Sequence, residues 1–141
     1  MQTANNTRSS LFLIELIIDI LFFSLGSAVC IQAVVKAHSD RMDARALSFA
    51  SSTVSSAASV VKYTDGELDS VQAYFPGAFL DSDSAIAVCY DGDFTPCAPE
   101  DAAYILRIET ASQEETETAH IWMDGQEGQL LYELDLRYPR V

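Results

Sequence analysis

From Leu11 to Val35 the chain is almost unbroken apolar sequence, LFLIELIIDILFFSLGSAVCIQAVV. Those 25 residues, wound as a helix, span roughly 37 Å, enough to cross a ~30 Å hydrocarbon layer with some tilt. Two carboxylates interrupt the run near its start, Glu15 and Asp19. They are four residues apart and so share one helical face. An ionisable side chain inside a membrane costs ~2.5–3.5 kcal/mol on insertion scales, which makes the pair a functional candidate. Glu15 lies about 6 Å inside the run and could snorkel to the headgroups; Asp19 lies about 12 Å inside and is harder to explain that way. Gly26 and Cys30 continue the same face and are small enough for another helix to come close.

The rest of the 141 residues suits one small domain. The formal charge is −13, and it is unevenly placed. From Tyr63 onward there are 17 acidic side chains and only Arg107, Arg137 and Arg140 as bases. That balance excludes nucleic acid as a partner, because affinity for phosphate comes from cationic contacts. It also disfavours lying on an anionic leaflet, while favouring solubility and basic partners.

Before the apolar run, Met1 to Ser10 is polar, with Arg8 its one charged side chain, and reads as disordered or as a removable leader. A general secretory signal would need a shorter apolar core. A lipoprotein reading at Cys30 is disfavoured by Val29, where a small residue is wanted. After the run, residues 36–62 contain no Gly or Pro. Met42, Ala46, Phe49, Ala50, Val54, Ala57, Ala58 and Val61 recur at three- and four-residue steps, one face of an amphipathic helix. Asp65-Gly66 supplies its stop. The chain therefore divides into a leader at 1–10, a transmembrane helix at 11–35, its amphipathic continuation at 36–66, and a small acidic domain at 67–141. One continuous helix of about fifty residues is expected, rather than two hinged near His38.

Within 67–141 a short helix is expected over Glu67 to Phe75, ended by Pro76-Gly77. Asp81 to Ser84 reads as a turn. Strands are expected at Ala85–Tyr90, Tyr104–Glu109, Thr118–Met123 and Leu130–Leu136. The acidic run Gln113 to Glu117 and the segment Asp124 to Gly128 would be hairpin ends. Tyr104, Leu106 and Ile108 would share a face, as would Ile121 and Met123, and Leu130, Tyr132, Leu134 and Leu136. The expected class is α+β, one long N-terminal helix covering a small antiparallel sheet.

Leu11-Phe12-Leu13-Ile14-Glu15-Leu16, followed by an apolar run and an amphipathic continuation, resembles the N-terminal module of type IV pilins and type II secretion pseudopilins. The likeness covers roughly Arg8 to Lys62. In that family a membrane peptidase removes a short polar leader, and a glutamate stands five residues past the cut. A cut between Ser10 and Leu11 would put Glu15 at that place. The family usually has Gly before the cut and Phe after it; Ser10 and Leu11 stand there instead, and Asp19 is outside the family pattern. The resemblance implies a non-catalytic subunit of a type IV pilus or type II secretion-like assembly, probed by a prepilin peptidase and joined to other subunits through its N-terminal helix. It implies that Glu15 pairs with a neighbour's new α-amine. The rival reading is a single-pass anchored binding or sensor domain that forms no filament.

Orientation is contested within the sequence. Lys36, Arg41 and Arg45 beyond the run outnumber Arg8 before it, which on charge alone would keep the C-terminal part in the cytoplasm. The resemblance implies the reverse, a cell-membrane protein with its C-terminal domain extracytoplasmic. Cys89 and Cys97 flank a turn-rich loop and are a candidate disulfide if that side is oxidising; otherwise they are two thiols, one in a strand core. Cys30 reads as a small hydrophobe.

No enzyme constellation is recognisable, and neither a cofactor nor a metal is expected. His38 and His120 are far apart and neither adjoins a nucleophile motif. His120 reads as a surface residue. No phosphate-binding loop or dinucleotide fingerprint occurs. Asp81-Ser82-Asp83 and Asp91-Gly92-Asp93 read as solvated turns rather than a Ca²⁺ site, since the twelve-residue loop pattern is missing.

Overall fold

The structure, a computed structural model, describes residues 3–113 and 115–139. Met1 and Gln2 of the expected leader, Glu114 of the acidic run, and Arg140 lie outside the described residues. The chain divides into two compact units, Met1–Asp43 and Ala44–Val141.

Helix α1 runs from Thr3 to Tyr63 without a break, 61 residues. It starts inside the expected leader, eight residues ahead of the apolar run. Once a helix is nucleated, each added residue gains one backbone bond, so elongation through a polar segment is easy. No hinge occurs at His38. In the first unit the side chains of the apolar run are exposed, apart from the half-buried Ser27. In the second unit Ala46, Ala50, Val54, Ala57, Ala58 and Val61 are buried, with Phe49 and Val60 partly so. Met42, expected on this face, is 41 % exposed and lies in the first unit.

Helix α1 stops by a Schellman-type turn. Thr64 N–H donates to Val60 O and Gly66 N–H donates to Val61 O, both at 2.9 Å. Two successive residues, Asp65 (φ 51°) and Gly66 (φ 74°), are left-handed. The sequence expectation assigned that conformation to the glycine alone; the aspartate shares it, as short polar side chains can. Gly66 is also required by space, since a Cβ there would run into the Tyr138 hydroxyl.

Helix α2 (Leu68–Tyr74) follows, then β1 (Phe79–Ser82), β2 (Ala85–Tyr90), β3 (Tyr104–Gln113), β4 (Thr116–Asp124) and β5 (Leu130–Pro139). The strands form one antiparallel meander in the order β1-β2-β3-β4-β5. Strand β1 overlaps the segment expected to be a turn. It is four residues long, mostly exposed, and shifts register between Leu80 and Ser82, so it carries no alternating pattern. Strands β3 and β4 extend beyond their expected ends into the polar residues around Gln113 and Thr116, and β5 extends to Pro139. Ladder hydrogen bonds continue there without apolar side chains to announce them.

Ile86, Val88, Leu106, Ile108, Ile121 and Met123 meet the alanine-rich face of α1 in one core. Small residues on the helix against large ones on the sheet let the layers interdigitate at crystal-like density. On β5 the face differs from expectation. Met123 pairs with Tyr132 but Asp124 pairs with Leu130, so Leu131 is an extra residue at a bulge. Leu130 is therefore 51 % exposed, while Leu131 packs on the core with Tyr132, Leu134 and Leu136. Tyr138 continues that face and is buried.

Candidate functional site

Two surfaces bring chemistry-bearing side chains together. The first lies on α1. Among the described residues, one helix, within Asn6–Tyr63, is long and apolar enough to cross a membrane. The structure places Ser10, Leu11, Glu15 and Asp19 on that helix, all exposed. Glu15 and Asp19 sit one turn apart and have no hydrogen bond or ion pair among the described residues. Ser24, deeper in the run, is different: its hydroxyl donates to Ile20 O at 2.8 Å. A hydroxyl satisfied by its own helix can enter lipid at little cost, whereas a carboxylate without a partner cannot. The two acids are thus the ionisable groups of this run that meet no partner among the described residues. Outside the run, Lys36 and Asp40 pair across one turn at 3.5 Å and are both exposed.

The second surface is the sheet face opposite α1. Arg107 on β3 holds Asp124 on β4 with Nη1 at 2.5 Å from Oδ2, and reaches Asp81 on β1 with Nε at 3.6 Å from Oδ2. Trp122 Nε1–H donates to the same Asp124 oxygen at 3.2 Å. One guanidinium fork thereby links β1, β3 and β4. Alongside it, Glu109, His120 and Asp135 are directly opposite one another on β3, β4 and β5. His120 Nδ1 lies 2.5 Å from Asp135 Oδ1, and its ring lies 4.6 Å from that of Trp122. An open groove of about 400 Å³ runs over Glu109, Thr118, His120, Asp135 and Arg137. Its acid, base and imidazole ring are positioned by register. The nearby Thr118 hydroxyl is already engaged, donating to Ala111 O at 3.1 Å. The arrangement can bind polar groups, and it also stitches β3, β4 and β5 together.

The acidic patches are largely spent on structure. Asp81 pairs with Arg107. Asp91 Oδ1 accepts from the N–H groups of Asp93 and Thr95, both at 2.9 Å, and so shapes the loop after β2. That loop holds Phe94 at φ 63°, with its ring stacked 4.5 Å from Phe49 of α1. No group of three or more His, Cys, Asp or Glu among the described residues could hold a metal ion.

The same loop brings the two distal cysteines together. Cys97 N–H donates to Cys89 O at 3.0 Å, with Cys89 buried and Cys97 half-buried, both as free thiols. Burial pushes the Cys89 thiol above its usual range, and the neighbouring Cys97 adds to this. Cys97 is raised as well, by desolvation and then by Asp91 and Asp101.

Sequence reasoning singled out Glu15 with Asp19 and a possible Cys89–Cys97 disulfide; the acids lie one helical turn apart, and the cysteines are joined by a backbone hydrogen bond with both thiols free. It missed the Arg107 clamp and the Glu109–His120–Asp135 row. The signal for both lies in strand register, which joins residues 11 to 26 positions apart in the chain. The chain matches no family model, no curated protein and no solved structure.

Proposed function

We propose that this chain is a non-catalytic, pilin-like or minor pseudopilin-like subunit. It joins a type IV pilus or type II secretion-like assembly through the N-terminal part of α1. One observation carries the proposal. A single helix bears a bare apolar segment with two unpaired carboxylates on one face, and continues into the core of an antiparallel sheet. That is a pilin-like architecture, compatible with a membrane-anchored subunit. On this reading the chain sits single-pass in the cell membrane with residues 67–141 extracytoplasmic. Its partners are lipid, other pilin-like subunits and a prepilin peptidase; nucleic acid and cofactors have no part.

The test is leader removal. Co-expression with an active prepilin peptidase should give a mature chain beginning at Leu11, read by intact mass spectrometry of the membrane-extracted protein. A full-length product would favour the second reading, a single-pass anchored binding or sensor domain. Two observations favour that alternative: Ser10 and Leu11 stand where the family has Gly and Phe, and the open groove over His120 and Asp135 is a polar surface with room for a ligand.

A further inference from the structure

The two edges of the sheet are treated differently. At one edge β1 is four residues long and bulged between Leu80 and Ser82, the kind of blunted edge that resists pairing. At the other, β5 offers ten residues from Leu130 to Pro139, bonded to β4 on one side and, among the described residues, to no strand on the other. Beyond its bulge at Leu131 it runs regularly, without Lys and with its one Pro at the end. A long regular edge with a free row of N–H and C=O groups is a template for another strand.

We propose that this edge pairs with β5 of a second copy of the chain, antiparallel about a two-fold axis at Leu136. The charge pattern selects both the occupant and the register. In an antiparallel pair, directly opposite side chains point to the same face, so only registers centred on a residue keep the two cores on one side. Centring on Leu134 sets Glu133 against Asp135 twice, and centring on Asp135 faces Glu133 with Arg137 but sets Asp135 directly against itself at the axis. Centring on Glu133 or Arg137 likewise opposes like charges. Centring on Leu136 sets Asp135 against the second copy's Arg137 twice over, with Leu134 against Tyr138. Opposite charges in directly facing positions stabilise such a pair, and like charges there oppose it.

Asp135 already meets His120 of its own sheet through Oδ1, yet its side chain stays 81 % exposed; Arg137 is exposed with no ion pair among the described residues. The resulting contact is isologous and closes on itself, giving a dimer with one continuous sheet rather than a chain of copies. Pro139, which has no N–H to give, falls at the end of the paired segment opposite Glu133, where the ladder stops.

Two charge reversals test this in the full chain in detergent. Arg137→Asp leaves only acids at the two facing positions, and Asp135→Arg leaves only bases. Sedimentation and native mass spectrometry should find the unaltered chain dimeric, and each variant alone weakened roughly tenfold or more. An equimolar mixture of the two variants should recover the dimer, because every facing pair is then opposite in charge. Amide exchange should show new protection along Leu134–Tyr138 in the dimer only, and an unchanged core pattern in each variant should show that it is folded. A monomeric unaltered chain, single variants that dimerise as well as it does, or a mixture that stays monomeric would each overturn the proposal.

Discussion

Gly66 and Tyr138 set the conditions for each other. Gly66 holds φ 74°, and any Cβ there would meet the Tyr138 hydroxyl, with Cζ 3.6 Å behind it. That hydroxyl is buried with no hydrogen-bond partner among the described residues, a situation that costs about 1–3 kcal/mol. Tyr138→Phe should therefore be neutral or stabilising by chemical denaturation. Gly66→Ala should cost about 1–3 kcal/mol in the original chain, from backbone strain and collision together. In the Tyr138→Phe background it should cost clearly less, because only the strain remains. Equal costs in both backgrounds would show that the collision is not felt. Burial, then Glu117 and Asp65, push the Tyr138 phenol above its ordinary value of 10.0, and burial raises Tyr90 as well. A raised folded-state value means full stability below pH 10 and loss as pH climbs through the folded values, since the unfolded phenols release their protons first. Tyr138→Phe should make that alkaline loss shallower. Little of this was legible in the sequence. Asp65-Gly66 announced a helix stop, but a tyrosine 72 residues away could be placed over it only by the sheet.

Among the elements, those with strong side-chain periodicity were the legible ones. Strand β2 starts and ends where its apolar run does, and the α1 face from Ala46 to Val61 follows helical spacing. Strand β1 and the outer ends of β3 and β4 were not legible, because exposed strands are held by backbone bonds that any side chain permits. The bulge at Leu131 hid the true face of Leu130 for a related reason: one extra residue inverts the alternation. The contact between α1 and the sheet makes a specific demand. Ala57 is fully buried in the shared core. Ala57→Leu should destabilise by about 1–3 kcal/mol through overpacking, read as a lower denaturant midpoint. An unchanged midpoint would mean that the layers are loosely packed there. The loop after β2 makes another demand. If residues 67–141 are extracytoplasmic, Cys89 and Cys97 should be bonded in protein alkylated at the moment of isolation. Two alkylated thiols in that protein would argue for the cytoplasmic side, as the count of Lys and Arg around the run does.

At the scale of the molecule, a helix long and apolar enough to cross a membrane leads into a small α+β domain. Residues that look wasteful in a soluble protein, such as exposed Phe12, Phe22 and Phe23, are the ones a hydrocarbon layer would cover. The anchor was visible in the sequence because it is a matter of length and composition alone. The shared face of Glu15 and Asp19 was visible with it, from their four-residue spacing alone. A solitary carboxylate near the headgroups should tolerate neutral replacement, since its loss eases insertion. A carboxylate that pairs with a neighbour's amine in low dielectric should not, because its loss strands that amine. The most direct measurement is site-specific crosslinking in membranes from the Gly26 and Cys30 face, with and without Glu15→Ala. The account predicts intact insertion in the variant, a sharp fall in crosslinks to partner helices, and a smaller fall for Asp19→Ala. Crosslinking that is unchanged in Glu15→Ala would contradict it, and would leave α1 as a simple anchor.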